Sequence, residues 1–450
     1  MARLLRSLRQ ALGLVSSSSP SSPISRFSAS VDTDFSVFRE GDRALILGKS
    51  ERLTDPLQKG GKTNAPSGGH LSHDQIIGRA IRQRYQSNKG RKFWLRLPTL
   101  EEYVSLTPRL VTPIYAADTN LIVSLLDIHV TAPSASNDEQ PPLEILESGT
   151  GHGSLTLQLS RAIQAANPLA PPMPSKSRIT YLKGRPVRPD EPQSNPESTA
   201  QSTEQEIDPV QEQWDTWRAQ RRAIIHTVDV SGKFSAHAES IVRGFRRGIY
   251  AGNVDFYVGH VENWIQDQIK RRSPPSSLIS LFGSKQRTQP FLTHAILDMP
   301  SASLRVKHVA EILKPEGTLV VFAPSITQLG ECERLIHDQT LPLTAVKFVE
   351  LGTGISGGRE WDVRLAVKKS RADPSGWETP EPDTETETPA EESSTPSLEN
   401  AVEEAQTQTQ AAAETETEPE TVLVCRPRVG AKVVGGGFVG IWRRKVDRNE

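Results

Sequence analysis

Residues Leu143 to Ile163, LEILESGTGHGSLTLQLSRAI, hold the most specific arrangement of chemically useful residues in the chain. A hydrophobic run ends in an acid, Glu147; glycines follow at Gly149, Gly151 and Gly153, and an apolar, helix-spaced stretch opens near Ser154. Glycine tolerates positive φ and lets a ligand approach the backbone, and amide donors gather at a helix start. The combination predicts a small-cofactor site at a strand-to-helix turn. Alone, a GxGxG loop suits a nicotinamide dinucleotide, S-adenosylmethionine or a structural turn. His152, between two glycines, is expected to point to solvent and has no assigned role. In IHTVDV, Ile225–Val230, a second strand-like run ends at Asp229. A carboxylate there could bind both hydroxyls of a ribose, or simply cap the next helix.

The elements that must position these residues alternate between short β-like runs and helix-like segments. Leu143–Gly149, Ile224–Val230, Val254–Gly259, His294–Pro300 and Gly317–Pro324 read as buried strands, most of them followed by helical spacing. This is the rhythm of a doubly wound, mostly parallel α/β sheet. Leu343–Leu351, Trp361–Val367 and Gly437–Arg444 come late, lack crossover helices, and fit antiparallel strands. An acid directly before the glycines, without GxGxxG spacing, is the pattern of class I methyltransferases. The predicted fold is therefore a Rossmann-like, seven-stranded α/β sheet. Phe35–Gly48 and Lys92–Leu97 predict a small β-rich module ahead of it, spanning residues 32–100.

Three stretches read as insertions with little to bury: Pro133 to Pro142, Asn167 to Gln213, and the Thr/Glu/Pro-rich 371–420. They interrupt a main domain expected over 101–370, completed by a last strand within 421–450. Only 36% of the 450 residues are hydrophobic, and no apolar run approaches the ~18 residues of a membrane span. Cys332 and Cys425 stand far apart without a CxxC partner, which argues against a zinc site or disulfide framework. Formal net charge is −1, but Asp373 to Glu420 holds fifteen acids and no Lys or Arg, so the rest of the chain carries +14. A basic body of that kind favours a polyanionic partner. Residues 1–31 contain Arg3, Arg6, Arg9 and Arg26, no acid, and a serine-rich stretch, the composition of a mitochondrial presequence. The matrix is the expected compartment, with the nucleus as alternative.

Several blocks resemble, in order and spacing, the tRNA (adenine-58-N1)-methyltransferase family in its catalytic subunit, of a mitochondrial fungal type. They are Leu97–Ile128 (LPTLEEYVSLTPRLVTPIYAADTNLIVSLLDI), the glycine loop, AILDMP (Ala295–Pro300), FAPSITQL (Phe322–Leu329), REWDVRL (Arg359–Leu365) and VCRPRVGAKVVGGGFVGIWRRK (Val424–Lys445). The resemblance implies methyl transfer from S-adenosyl-L-methionine to N1 of adenine 58 in the T-loop of tRNA, without a metal. It implies Asp298 as the key acid and places Tyr115 and Asp118 across the cofactor and base pocket. Cofactor contacts are implied for Ile114, Glu147, Gly149, Gly151, Gly153, Ser154, Leu155, Asp229, His260, Val261, Glu262 and Asp298. The family forms tetramers, of one chain or with a non-catalytic paralogue. An alternative is the same fold acting on another RNA position, or a tRNA-binding subunit without catalysis.

Two departures stand out. A Pro-Trp pair common after the LDLP motif is replaced by Ser301-Ala302-Ser303, and the usual acid beside glycine after the third strand by Gly259-His260-Val261-Glu262. Either Glu262 or backbone amides near Val261 would then serve the adenine of the cofactor. Basic clusters proposed to meet RNA are Arg243, Arg246 and Arg247; Lys270 to Arg272; Arg426 and Arg428; and Arg443, Arg444 and Lys445.

Overall fold

The computed structural model describes residues 30–47, 51–66, 68–133, 140–183, 208–273, 289–352, 359–367, 421–427 and 436–446. Near the start, short alternating runs build a β module. Strands β1 (Leu45–Leu47), β2 (Arg52–Leu53), β5 (Gln83–Gln86) and β6 (Lys92–Arg96) pair antiparallel in the order β2-β1-β6-β5, and β3 (Lys62–Asn64) pairs with β4 (His70–Ser72). In β6, Phe93 and Leu95 are buried while Lys92 and Trp94 are exposed, the period-2 alternation of a half-buried strand. The module has its own core, with Phe38, Ile46, Leu57, Ile76 and Leu95 at its centre.

The module is fastened to the rest of the chain by Arg247. Its guanidinium meets both oxygens of buried Asp42, at 3.0 and 2.9 Å, and donates to the carbonyls of Asp34 and Val37. Arg246 beside it donates to Pro98 O at 3.1 Å and lies over Phe35. Both arginines hold positive φ, of 47° and 57°. The cluster offered as an RNA contact is thus a clamp between two parts of the chain.

Helices α1 (Leu100–Leu106) and α2 (Ala116–Leu126) lead into the main sheet. Thr99 and Glu102 form a reciprocal capping box that starts α1. The remaining elements follow in alternation: β7 (Leu143–Ser148), α3 (Ser154–Ile163), β8 (Thr180–Tyr181), α4 (Pro209–Ala219), β9 (Ala223–Asp229), α5 (Gly232–Gly244), β10 (Val254–Val258), α6 (Val261–Arg272), β11 (Leu292–Leu297), α7 (Ser303–Ile312), β12 (Leu313–Ala323) and α8 (Ile326–Asp338). Then come β13 (Leu343–Glu350), β14 (Arg359–Val367), β15 (Thr421–Pro427) and β16 (Phe438–Arg444). The sheet order is β15-β14-β13-β16-β12-β11-β7-β9-β10-β8. Pairings from β8 to β12 are parallel, and β16, β13, β14 and β15 join antiparallel. Counted from β7, the seven strands from β10 to β13 run 3-2-1-4-5-7-6. That is the class I methyltransferase sheet.

Two edges exceed the expected seven strands. β8 adds two residues beside β10, and β14 continues past β13 to pair along seven residues with β15. The acidic stretch 371–420 joins β14 to β15 and lies outside the described residues. The stretch Asn167 to Gln213 departs from its reading as an insertion at both ends. Asn167 is buried and bonds Ala223 and Asn253, Ala170 packs with Trp214 and Trp217, and α4 begins at Pro209 behind an Asp208 cap. The sequence there is polar, but two tryptophans on one face of α4 supply a small core of their own.

Candidate active site

Strand order reverses at β7, with β9 on one side and β11 on the other, so a crevice forms beyond their carboxyl ends. Each of the three strands delivers an acid there: Glu147, Asp229 and Asp298. The turns around them are tight. Asp298 N donates to Ser148 O at 2.8 Å, and a Cβ at Gly149 would stand 1.8 Å from Asp298 O, so only glycine fits. A Cβ at Gly153 would stand 3.1 Å from Ala238 Cβ of α5, a tight approach, whereas a Cβ at Gly151 would meet nothing nearer than Val111 Cγ1, at 3.6 Å. The space beside Gly151 is open, and its φ of +52° is the feature that selects glycine.

Asp229 is fixed by two backbone amides, from Gly151 at 3.0 Å and Ser231 at 2.8 Å. Ser231, not Asp229, caps α5, its hydroxyl accepting from Phe234 N. Capping therefore does not explain the acid. Glu147 is 1% exposed and accepts a 2.6 Å hydrogen bond from Thr156 Oγ1. Burial, with Asp298 and Asp229 adding to it, pushes Glu147 up to about 8. Burial and the charge of Asp229 likewise push Asp298 up to about 7. Among the described residues no Lys or Arg balances either carboxylate. Crowded, dehydrated carboxylates of this kind are complementary to a ligand that brings positive charge.

The segment before β7 lies over the glycine turn. Ser154 Oγ donates to Ile114 O at 3.0 Å, tying it to the first residue of α3. Tyr115 is 56% exposed, with Arg109 over its ring at 5.7 Å. Burial raises Asp118. Leu155 is buried in the core under α3. Beyond β10, His260 occupies the N-cap position of α6 and Val261 is buried. Glu262 is engaged by Arg305, with Nε 2.9 Å from its carboxylate. On the other side of Asp298 a cavity of about 520 Å3 opens between Met299, Ser301, Ala302, Phe322 and Pro324. Ser301 to Ser303, which replace the bulky pair of the resembling family, line that cavity.

His152 does not face solvent. It is 2% exposed, its Nδ1 lies 3.3 Å from His237 Nε2 of α5, and burial holds it down to about 4. The positive φ of Gly151 and Gly153 turns the residue between them inward. Thr156, Thr227 and Thr150, which surround Glu147 with hydroxyls, carry no sequence signal beyond being polar in an apolar helix or strand end.

The other basic clusters separate by environment. Arg272 bonds buried Glu144 at 2.9 and 2.6 Å, and Arg444 donates to the carbonyls of Ala310 and Leu313 at 3.0 and 2.6 Å. Arg243 binds Pro174 O and lies 3.5 Å from Glu239. These serve the fold. Arg271, Arg426 and Arg443 are exposed, against Asp267, Asp362 and Glu316 respectively. Arg428 lies outside the described residues.

No family model matches the chain. Two curated relatives, the tRNA (adenine(58)-N(1))-methyltransferase TrmI of two Thermus thermophilus strains, are each 22% identical over 303 residues, covering 67% of this chain and 80% of the relative. Among solved structures, a SAM-dependent O-methyltransferase from Thermotoga maritima is 14% identical, with a TM-score of 0.46 over 92% of this chain and 97% of the other. The tRNA (m1A58) methyltransferase TrmI from Aquifex aeolicus is 15% identical, with a TM-score of 0.42 over 91% of this chain and all of the other.

Proposed function

We propose that this chain transfers a methyl group from S-adenosylmethionine to N1 of adenine 58 in the T-loop of tRNA. The observation that carries the reading is the gathering of Glu147, Asp229 and Asp298 around the glycine turn, beside a cavity of about 520 Å3 that has room for a nucleobase. Similarity to the two Thermus relatives supplies the RNA position. The residues fit the cofactor. Asp229, held by two amides, sits where a carboxylate binds ribose hydroxyls. Glu147 and Asp298 answer an ammonium and a sulfonium, and the open side of Gly151 leaves room for the ligand.

When bound, S-adenosylmethionine supplies an electrophilic methyl group. Adenine N1 is nucleophilic when neutral, so the chain needs no strong base and acts by positioning. Asp298 accepts from the exocyclic amine and favours the positive charge that develops on the ring. A cationic ligand beside it draws its pKa back down, so the acid that is half-neutral in the empty site becomes an anion in the loaded one. Tyr115, exposed over the turn, stacks on the extracted base. The adenine of the cofactor is left to the backbone near Val261, because Arg305 already engages Glu262.

Incubation of the purified chain with an unmodified tRNA transcript and cofactor, followed by primer extension, should give a stop at position 58 that a transcript with G58 lacks. Methyl incorporation elsewhere would refute the position, and none at all the activity. The arginine-rich start is read as a matrix presequence: residues 1–40 fused to a reporter should reach mitochondria, and nuclear or cytosolic fluorescence would refute it.

A further inference from the structure

The β5–β6 hairpin of the N-terminal module carries a surface that the active site does not use. Between Asp74 and Glu101 the sequence holds seven Arg or Lys and no acid. Arg79, Arg82, Arg84, Lys89, Arg91 and Lys92 are all exposed, and among the described residues none of them forms an ion pair. Arg96 alone is paired, with Glu102 at 2.5 Å. In the middle of this charge stands Trp94, 46% exposed and directly opposite Arg84 across the two strands. The Arg84 guanidinium lies over the indole, 5.0 Å from its centre. The inner face of the same strands, Tyr85, Phe93 and Leu95, is buried, so the outer face is held rigid by the module core.

An unpaired cationic surface with a fixed aromatic ring at its centre suits a chain of phosphates bearing unstacked bases. The cations gain by releasing counterions from phosphates, and the indole offers a flat platform to a base of any identity. An acidic protein would use the charge but not the flat face of the ring, which an unstacked base can share with the Arg84 guanidinium. We infer that the outer face of the β5–β6 hairpin is an RNA-docking surface, binding backbone phosphates through Arg84, Arg91 and Lys92 and stacking one unpaired base on Trp94. The identity of the RNA as tRNA rests on the proposed function; the docking surface does not.

The test uses the full chain, an unmodified tRNA transcript, and filter binding across a salt series, with cofactor affinity measured in parallel by calorimetry. Trp94→Leu should weaken RNA binding roughly tenfold, the scale of one lost base stack, while Trp94→Phe keeps most of the affinity. The double variant Arg91→Glu with Lys92→Glu should lower the slope of log affinity against log salt by about two. Cofactor affinity should be unchanged in all three. Wild-type RNA affinity and salt slope in folded variants would overturn the inference. So would a change of oligomeric mass with RNA binding intact, which would make the face a contact between copies. Failure of the wild-type chain to methylate tRNA while these variants still lose RNA binding would refute the proposed activity and leave the surface standing.

Discussion

Replacing Asp298 by Asn keeps the shape of the side chain and removes its charge, and the structure gives the change two opposite effects. The carboxyl is dehydrated and faces Asp229, which lifts its pKa from 3.8 to about 7. The folded chain therefore holds this proton more tightly than the unfolded chain does, so the wild type loses stability as pH rises from about 4 to about 7 and stays level above. At about 1.4 kcal/mol per unit, the loss is at most about 4 kcal/mol, less to the extent that water reaches the half-buried group. Asp298→Asn escapes it. In thermal melts of the cofactor-free protein the variant should match the wild type near pH 4 and exceed it by up to roughly 10 °C at pH 8, at about 2–4 °C per kcal/mol. In single-turnover assays at saturating cofactor and tRNA the same variant should be slower by two to three orders of magnitude. A stable, slow enzyme is the expected pair of results. A near-normal rate would remove Asp298 from the chemistry, and a melting difference independent of pH would show that its carboxyl is well hydrated.

Gly151→Asn, a residue that tolerates the +52° φ, should fold normally yet lose measurable cofactor binding by calorimetry; unchanged affinity would refute the glycine turn as the binding site. Arg247→Ala leaves buried Asp42 without its partner and should cost about 3–5 kcal/mol, read as a lower denaturation midpoint with exposure of the N-terminal module to protease; a midpoint within about 0.5 kcal/mol of wild type would show that the clamp is dispensable. Replacing Asp373–Glu420 by a short Gly/Ser linker should leave methyl transfer within about twofold, since that stretch joins two strands that pair with each other; an inactive but folded product would give the acids a role.

The parts of the site that were legible in sequence are those where one short segment carries both the element and the chemistry. Glu147 ends an apolar run and three glycines follow it, so strand, turn and helix could be placed together, and Asp229 and Asp298 end comparable runs. What could not be read depends on partners remote in sequence. Arg247 looks like part of a solvated basic cluster until Asp42, 205 positions away, is brought against it. Glu262 looks available until Arg305 arrives from α7. His152 looks exposed because glycines usually mark loops, yet their positive φ here turns the ring under α5. β8 escaped notice because two exposed residues in a polar stretch offer no periodicity, and only pairing with β10 makes them a strand.

On the proposed function, a site lined with acids raises an apparent conflict, since carboxylates repel the phosphates of an RNA substrate. The structure separates the two charges in space. The three acids converge on one crevice at the strand ends, while exposed cations occupy the outer face of the β5–β6 hairpin and the late strands, at Arg426 and Arg443. Burial goes further and suppresses the negative charge of the empty crevice, with Glu147 and Asp298 near half-protonated or more at neutral pH. A cationic cofactor entering first would restore their ionisation and be neutralised by it. A carboxylate would then be charged at the moment a base acquires a positive charge. On this reasoning cofactor binding releases protons, and the release should be largest somewhat below pH 7, between the pKa values of the loaded and the empty carboxyls, fall as pH rises through 7 and 8, and vanish toward pH 10. Calorimetry in two buffers of different ionisation enthalpy measures it directly. Proton uptake, or none at pH 7, would mean that the acids are already charged in the empty protein and that their burial has no part in loading the site.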